Sequence, residues 1–324
     1  MSTIKDVARV SGYSISTVSY ALKGNEKIPL ETQNKIKKVA SELSYVPDAS
    51  ARALKTRKNY SIGVFVPGFK GHVHPTILSG IAAVIKEVRN KYKLIIKLAD
   101  QEFLLVYEKQ IDVAIIIGSH VSEERVIDIS KHIPVILVDN NAESDNIINT
   151  NIDNFGGMFN RVLDFYQKGV NRFIYMSGTH LSAHNTERLR GFRTGIETCD
   201  LKIDEQVILD VNAFDEERGY KTMKSYLLNH KLSANGLICA NDELAIGAIK
   251  ALKEEGIHIP NDIKVSGFDN IDKCEYLLPS LSTIAVDWFA YGQRLGELAL
   301  AILDGKEYDK KILIESTLIN RCSE

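Results

Sequence analysis

From Tyr60 onward, short apolar runs rich in β-branched residues alternate with amphipathic segments, and they do so in two separate series. The first reads SIGVFVP, a helical stretch from Pro75 to Asn90, then KLIIKLA, DVAIII, PVILVD and NIINTN. The second reads RFIYMSG, EQVILDV, GLICA, IKVSGFD and LSTIAVD, separated by helical stretches at Asn185 to Thr198, Glu216 to Asn229 and Asp242 to Glu255. Strands joined through helices lie parallel in one sheet, because a parallel return needs a crossover long enough to hold a helix. Two such series predict an α/β fold with two parallel-sheet lobes. Open sheets of this kind bind ligands beyond the carboxyl ends of their strands, so a cleft between the lobes is the expected small-molecule site.

The residues before Tyr60 follow a different pattern. Thr3-Ile4-Lys5-Asp6 has the form of a helix start, and Ile4, Val7, Ala8 and Ser11 then share a face. Gly12 permits a tight turn, and Ser14 opens a second helix whose inward stripe is Val18, Ala21 and Leu22. Ile15, Ser16, Tyr20 and Lys23 are left facing outward. A third helix, Glu31 to Leu43, presents Ile36, Val39, Ala40 and Leu43 to the first two. The following DASARALKTRK is too short to be helical without a partner. This head is basic: its first sixty residues hold eleven Lys and Arg against five Asp and Glu, a charge of +6, while the rest of the chain carries −8. Such an imbalance is the footprint of a nucleic-acid-binding module joined to a body that binds something else.

Several classes are excluded or disfavoured. Apolar runs such as Ile62 to Pro67 and Val113 to Gly118 are far too short to span a bilayer, so no membrane association is expected. The segment MSTIKDVARV has no signal-peptide pattern, which predicts a cytoplasmic protein and argues against an exported solute-binding protein. Cys199, Cys239, Cys274 and Cys322 lack any CxxC spacing and read as reduced thiols, with no metal site and no cofactor implied. GxGxxG, GxxxxGK[ST], GxSxG and HExxH are all missing, so catalysis is not expected and no catalytic residue is named.

TIKDVARVSGYSISTVSYAL followed by ELSYVPDASARAL resembles the DNA-binding head of the lactose/galactose-repressor family. The resemblance implies a head over residues 1–58, with a second helix in the DNA major groove and a hinge helix at about 48–56 in the minor groove. It implies that Ile15, Ser16 and Tyr20 face base edges and that Ser14, Thr17 and Ser19 contact phosphates. Leu54 would be a minor-groove wedge, whose unstacking of a base step costs a few kcal/mol, offset by wider contact with a bent duplex. The plainer reading of Leu54 is a core residue. Tyr20 stands where the family usually has arginine; it offers one hydroxyl where arginine would hold guanine bidentately, so the operator is not transferable from relatives. Pro29 replaces a more usual capping Ser, which puts the start of the third helix in question.

The body, residues 60–324, resembles the same family's periplasmic-binding-protein-like sensing core. The match rests on Val138-Asp139-Asn140, Thr186-Glu187-Arg188 with Gly191-Phe192, the Phe214 to Gly219-Tyr220 spacing, Ala240-Asn241-Asp242, and Val265-Ser266-Gly267-Phe268-Asp269-Asn270. Three crossings between lobes are implied, with an N-lobe of about 60–151 plus 286–310 and a C-lobe of about 152–285 plus 311–324. A sugar offers hydroxyls that donate and accept, plus apolar faces, so its site needs carboxylates, amides and guanidinium groups around an aromatic plate. Arg188, Asn241, Asp269 and Asp139 supply the polar groups and Phe214 the plate. Asp139 or Asp269 could instead cap a helix, and Phe214 could be lobe core. Gly71-His72-Val73-His74-Pro75-Thr76 departs from the family's N-lobe wall; Lys70, His72 and His74 would suit a phosphorylated sugar or be solvated loop residues. The expected protein is a homodimeric repressor that binds palindromic operator DNA and is released by a sugar or sugar phosphate. The alternative is a relative that senses a purine or acts with a corepressor.

Overall fold

The computed structural model describes residues 2–22, 24–46, 58–88, 91–99, 103–118 and 121–324. Lys23, Leu54 and the hinge segment at 48–56 lie outside the described residues.

In the head, helices span Ile4–Ser11, Ile15–Leu22 and Leu30–Glu42. The Thr3 amide and hydroxyl both donate to the Asp6 carboxylate, at 3.0 and 2.8 Å, which satisfies a donor that the first turn leaves unpaired. Gly12 ends that helix at φ +76°, a conformation open to glycine at little cost. Ser14 Oγ accepts the Thr17 amide at 3.1 Å and so caps the second helix. Val7, Val18, Ala21, Ile36 and Ala40 form the buried centre, as their helical spacing predicts. The third helix starts one residue earlier than expected. Pro29 provides no side-chain cap; instead Gln33 Nε2 reaches back to the carbonyls of Asn25 and Ile28, at 3.1 and 2.9 Å, and fixes the approach loop.

Among the described residues, the body contains two six-stranded sheets. One orders β11-β5-β4-β3-β1-β2, from β1 (Ser61–Val66), β2 (Lys93–Leu98), β3 (Val113–Ile117), β4 (Val135–Val138), β5 (Ile147–Ile152) and β11 (Lys311–Ile314), all parallel. The other orders β12-β10-β9-β8-β6-β7, from β6 (Phe173–Ser177), β7 (Val207–Asp210), β8 (Gly236–Cys239), β9 (Lys264–Asp269), β10 (Ser282–Ala285) and β12 (Thr317–Ile319), with only β12 antiparallel. The expected lobe boundary at 310 is corrected here. β11 pairs with β5, Lys311 opposite Asn149, so residues 311–314 belong to the N-lobe and the chain crosses back between β11 and β12. Nothing local marks the break at Glu315 and Ser316 between two short apolar runs, so the lobe crossing there is not evident from the sequence.

Both lobes contain very tight helix pairs in their outer layers. The Val73–Glu87 and Trp288–Asp304 helices touch backbone to backbone where Gly80 meets Gly292, and a Cβ on Gly80 would collide with the Phe289 carbonyl oxygen. The Glu216–Asn229 and Asp242–Glu254 helices meet in the same way at Gly219 and Gly247. Gly80→Val is expected to destabilise the protein by about 1–3 kcal/mol through overpacking. Urea unfolding checks it: a lower midpoint at unchanged slope is expected, and an unchanged midpoint would show that the helices can slide apart freely.

Candidate functional site: head surface and interlobe cleft

The second helix of the head presents an exposed face whose composition follows from its inward stripe. Val18 and Ala21 are buried, which leaves Ile15 and Tyr20 about half exposed and Ser14 and Ser16 exposed, with Thr17 and Ser19 partly so. The Ser14 and Thr17 hydroxyls lie 2.8 Å apart and share a hydrogen bond. An exposed isoleucine and tyrosine on a small basic domain form a surface that an apolar group and a hydrogen-bonding partner can both engage. Lys35 Nζ, from the third helix, sits 5.5 Å from the centre of the Tyr13 ring.

In the body, the sheet topology brings four of the five expected cleft residues to strand ends. Asp139 follows β4, Asp269 ends β9, Asn241 follows β8, and Phe214 lies in the loop after β7. Arg188 comes from the Ala183–Thr198 helix and is buried. Its guanidinium organises the site: Nε donates to Asn154 Oδ1 at 2.8 Å, Nη1 to the Ala240 carbonyl at 2.6 Å and Nη2 to Asp269 Oδ1 at 3.3 Å. The same group lies 3.6 Å from the centre of the Phe268 ring, a cation over an aromatic face.

Burial dominates the electrostatics. Desolvation pushes the Asp269 carboxyl up to about 7 although Arg188 opposes the shift, with the Asp242 charge adding to it. Asp139 rises to about 6 for the same reason, again against the pull of Arg188. Its carboxylate accepts the Ile152 amide at 3.3 Å, and its φ of +54° is a left-handed conformation at the mouth of a strand. Asp242 is fully buried and also held near 6 by desolvation, with the Thr283 hydroxyl donating to it at 2.6 Å and the Ile271 amide at 3.0 Å.

Asn241 has a positioning role here. Its Oδ1 caps the Asp242–Glu254 helix through the Leu244 amide at 3.0 Å, and its Nδ2 donates to the Phe214 carbonyl at 3.1 Å. One N–H and one lone pair remain for another partner. Phe214 is half-buried, its ring occupying the space that a side chain at Gly178 would need. The His184 ring faces Phe214 with centroids 5.2 Å apart and planes 32° apart.

The sequence reading overlooked His184, Asn154 and Trp288. His184 lies four residues before Arg188 and therefore on the same helical face, a spacing that was available in the sequence. Burial and the Arg188 charge hold its imidazole at about 3, hence neutral, and its Nδ1 is buried without a hydrogen-bond partner. His74, also a source of that depression, lies in the first turn of the Val73–Glu87 helix and is half-buried, as is His72. The solvated-loop reading of these histidines is corrected accordingly. His72 Nδ1 lies 3.9 Å from Asp272 Oδ2 across the cleft. Among the described residues there is no group of three or more His, Cys, Asp or Glu able to hold a metal ion, and no helix long and apolar enough to cross a membrane.

Residues 3–48 match the family described as bacterial regulatory proteins, lacI family, and residues 162–323 match the periplasmic binding protein-like domain. The HTH-type transcriptional repressor PurR of Vibrio parahaemolyticus is 30% identical over 330 residues, covering 96% of this chain and 95% of that protein. The lac repressor dimer bound to operator and the anti-inducer ONPF has the same fold, with a TM-score of 0.86 at 21% identity over 99% of this chain and 98% of that one. A LacI family transcriptional regulator from Enterococcus faecium with bound ribose gives a TM-score of 0.73 at 26% identity, over 81% of this chain and 98% of that one.

Proposed function

The chain belongs to the LacI family of bacterial regulatory proteins and is a DNA-binding transcriptional regulator, and from that premise we propose that it is a homodimeric repressor released by a neutral sugar bound between its lobes. The observation that carries the effector reading is the commitment of Arg188. Three of its five N–H groups already donate to Asn154, Ala240 and Asp269, so much of its hydrogen bonding goes into holding the cleft together and its charge sits beside a carboxylate. A phosphate would meet the half-buried carboxyl of Asp139, the buried one of Asp269 and a neutral His184, which disfavours an anion. A polyol can donate to those carboxyls, accept from the remaining Asn241 N–H, and lay an apolar face on Phe214. The Enterococcus faecium relative holds ribose, which supports this class. The facing rings of Phe214 and His184 favour a second reading, a planar purine-like effector. Isothermal titration of the full chain with neutral pentoses and hexoses, sugar phosphates and purines separates these. Heat from a phosphate arm alone would overturn the neutral-sugar reading.

For DNA, we propose that Ile15, Ser16 and Tyr20 read base edges while Ser14, Thr17 and Ser19 hold phosphates, in two heads spaced about one helical turn apart on a palindrome. Leu54→Ala is expected to leave the head folded, to weaken operator binding about tenfold or more, and to reduce bending in a gel-shift phasing assay. Wild-type affinity and bend angle in this variant would return Leu54 to the core-residue reading.

A further inference from the structure

Asp269 and Asn270 are two consecutive non-glycine residues with positive φ, +111° and +55°, at the end of β9 where the cleft is lined. Such a backbone is costly and persists only where its surroundings over-determine it. The C-lobe supplies part of the hold. Arg321 Nη2 donates to Asn270 Oδ1 at 2.8 Å, the Asn270 amide donates to Thr283 Oγ1 at 3.3 Å, and the Ile271 amide donates to Asp242 at 3.0 Å. A further bond comes from the other lobe: the indole N–H of Trp288 donates to the Asp269 carbonyl at 2.9 Å.

Trp288 is firmly part of the N-lobe. It opens the Trp288–Asp304 helix, which is locked against the Val73–Glu87 helix at Gly80 and Gly292. One turn on, the Tyr291 hydroxyl donates to the Thr150 carbonyl of β5 at 3.0 Å. Trp288 is 5% exposed. A donor rigidly attached to one lobe thus holds the strained turn of the other.

We propose that Trp288 is a positioning residue of the cleft, whose indole N–H makes the shape of the Asp269-Asn270 turn depend on the relative placement of the two lobes. Any movement of one lobe against the other must either carry the turn with it or break this bond, so the carboxylate that would meet the effector is coupled to lobe position. That Asp269 meets an effector rests on the function proposed above; the hold of Trp288 on the turn does not.

The chain contains a single tryptophan, so growth of a tryptophan auxotroph on benzothienylalanine replaces residue 288 alone and exchanges its N–H for sulfur while keeping the ring. Two ligand-free measurements on the full chain then decide. Amide exchange at Asn270 and Ile271 is expected to accelerate about tenfold or more, with the amides of β6 and β8 unchanged. The carbon-detected titration midpoint of the Asp269 carboxyl, assigned by its disappearance in Asp269→Asn, starts near 7 and is expected to fall by about one unit or more as the turn relaxes toward solvent. Trp288→Phe, made genetically, should give the same two results. Unchanged exchange and an unchanged midpoint, or acceleration spread evenly over the C-lobe, would overturn the proposal. Because neither readout uses a ligand, a chain that binds no sugar still passes or fails this test.

Discussion

Replacing Asp269 with asparagine is expected to weaken the effector response roughly tenfold to a hundredfold while making the effector-free protein more stable at neutral pH. The carboxyl is buried, 8% exposed, and is held near 7 by desolvation, well above the ordinary aspartate value. Sign follows from linkage. A folded-state value raised above the unfolded one gives a contribution that is fully present below about 4 and is lost as pH rises through about 7. Ionised Asp269 therefore weighs against folding at pH 7.5, on the order of a few kcal/mol, and the isosteric amide removes that penalty. The stability gain of Asp269→Asn over wild type should grow between pH 4 and 7 and level off above, as followed by urea unfolding across that range. On the function proposed above, the loss on the other side is a charge-assisted bond to an effector hydroxyl, worth roughly tenfold to a hundredfold in affinity. Operator binding without effector should be unchanged, since the head is a separate compact unit. A variant that is no more stable at pH 8 than at pH 4, relative to wild type, would mean that Asp269 is solvated in solution.

Arg161→Leu should be the most destabilising single change in the C-lobe, at about 3–5 kcal/mol. This guanidinium, on the Asn154–Gln167 helix, is completely buried. Its Nη1 donates to Asp164 at 2.9 Å, Asn320 at 3.1 Å and Glu324 at 2.7 Å, and its Nη2 donates to the carbonyls of Thr283 and Ile319 at 3.1 and 3.3 Å. Desolvation lowers its proton affinity, and the Glu324 and Asp164 charges oppose that shift. Leucine would fill much of the space but would leave the Asn320 side chain and the Thr283 and Ile319 carbonyls facing an apolar group and would strip Asp164 and Glu324 of one of their two cationic partners, a defect far larger than the worth of the pair itself. Denaturant unfolding should show the C-lobe transition moving to lower urea while the head unfolds as before. Coincident curves for variant and wild type would show that Glu324 and Asp164 find water or Lys168 instead; Lys168 Nζ already reaches both, at 2.6 and 2.9 Å.

Periodicity is written locally, and for that reason most elements were legible. The inward stripe of the head, the β-α alternation of the body and the Ser14 and Asp6 caps each depend on residues within one or two turns of each other. Strand ends are local as well, so Asp139, Asn241 and Asp269 could be placed at or just beyond strand ends before any packing was known. β11 was less legible, because an edge strand of four residues between two loops has the same composition whichever sheet accepts it.

What the sequence determined by itself was therefore the set of elements, their parallel arrangement into two lobes, and the charge separation between head and body. Tertiary structure decided the partners. Arg188 reaches across 34, 52 and 81 residues to Asn154, Ala240 and Asp269, and Trp288 reaches back 19 to the carbonyl of the strained turn. No local pattern encodes such pairings. They arise because a buried donor must find an acceptor wherever the packed lobes place one, and burial in turn raises or depresses the proton affinities of Asp139, Asp269 and His184 far from their ordinary values.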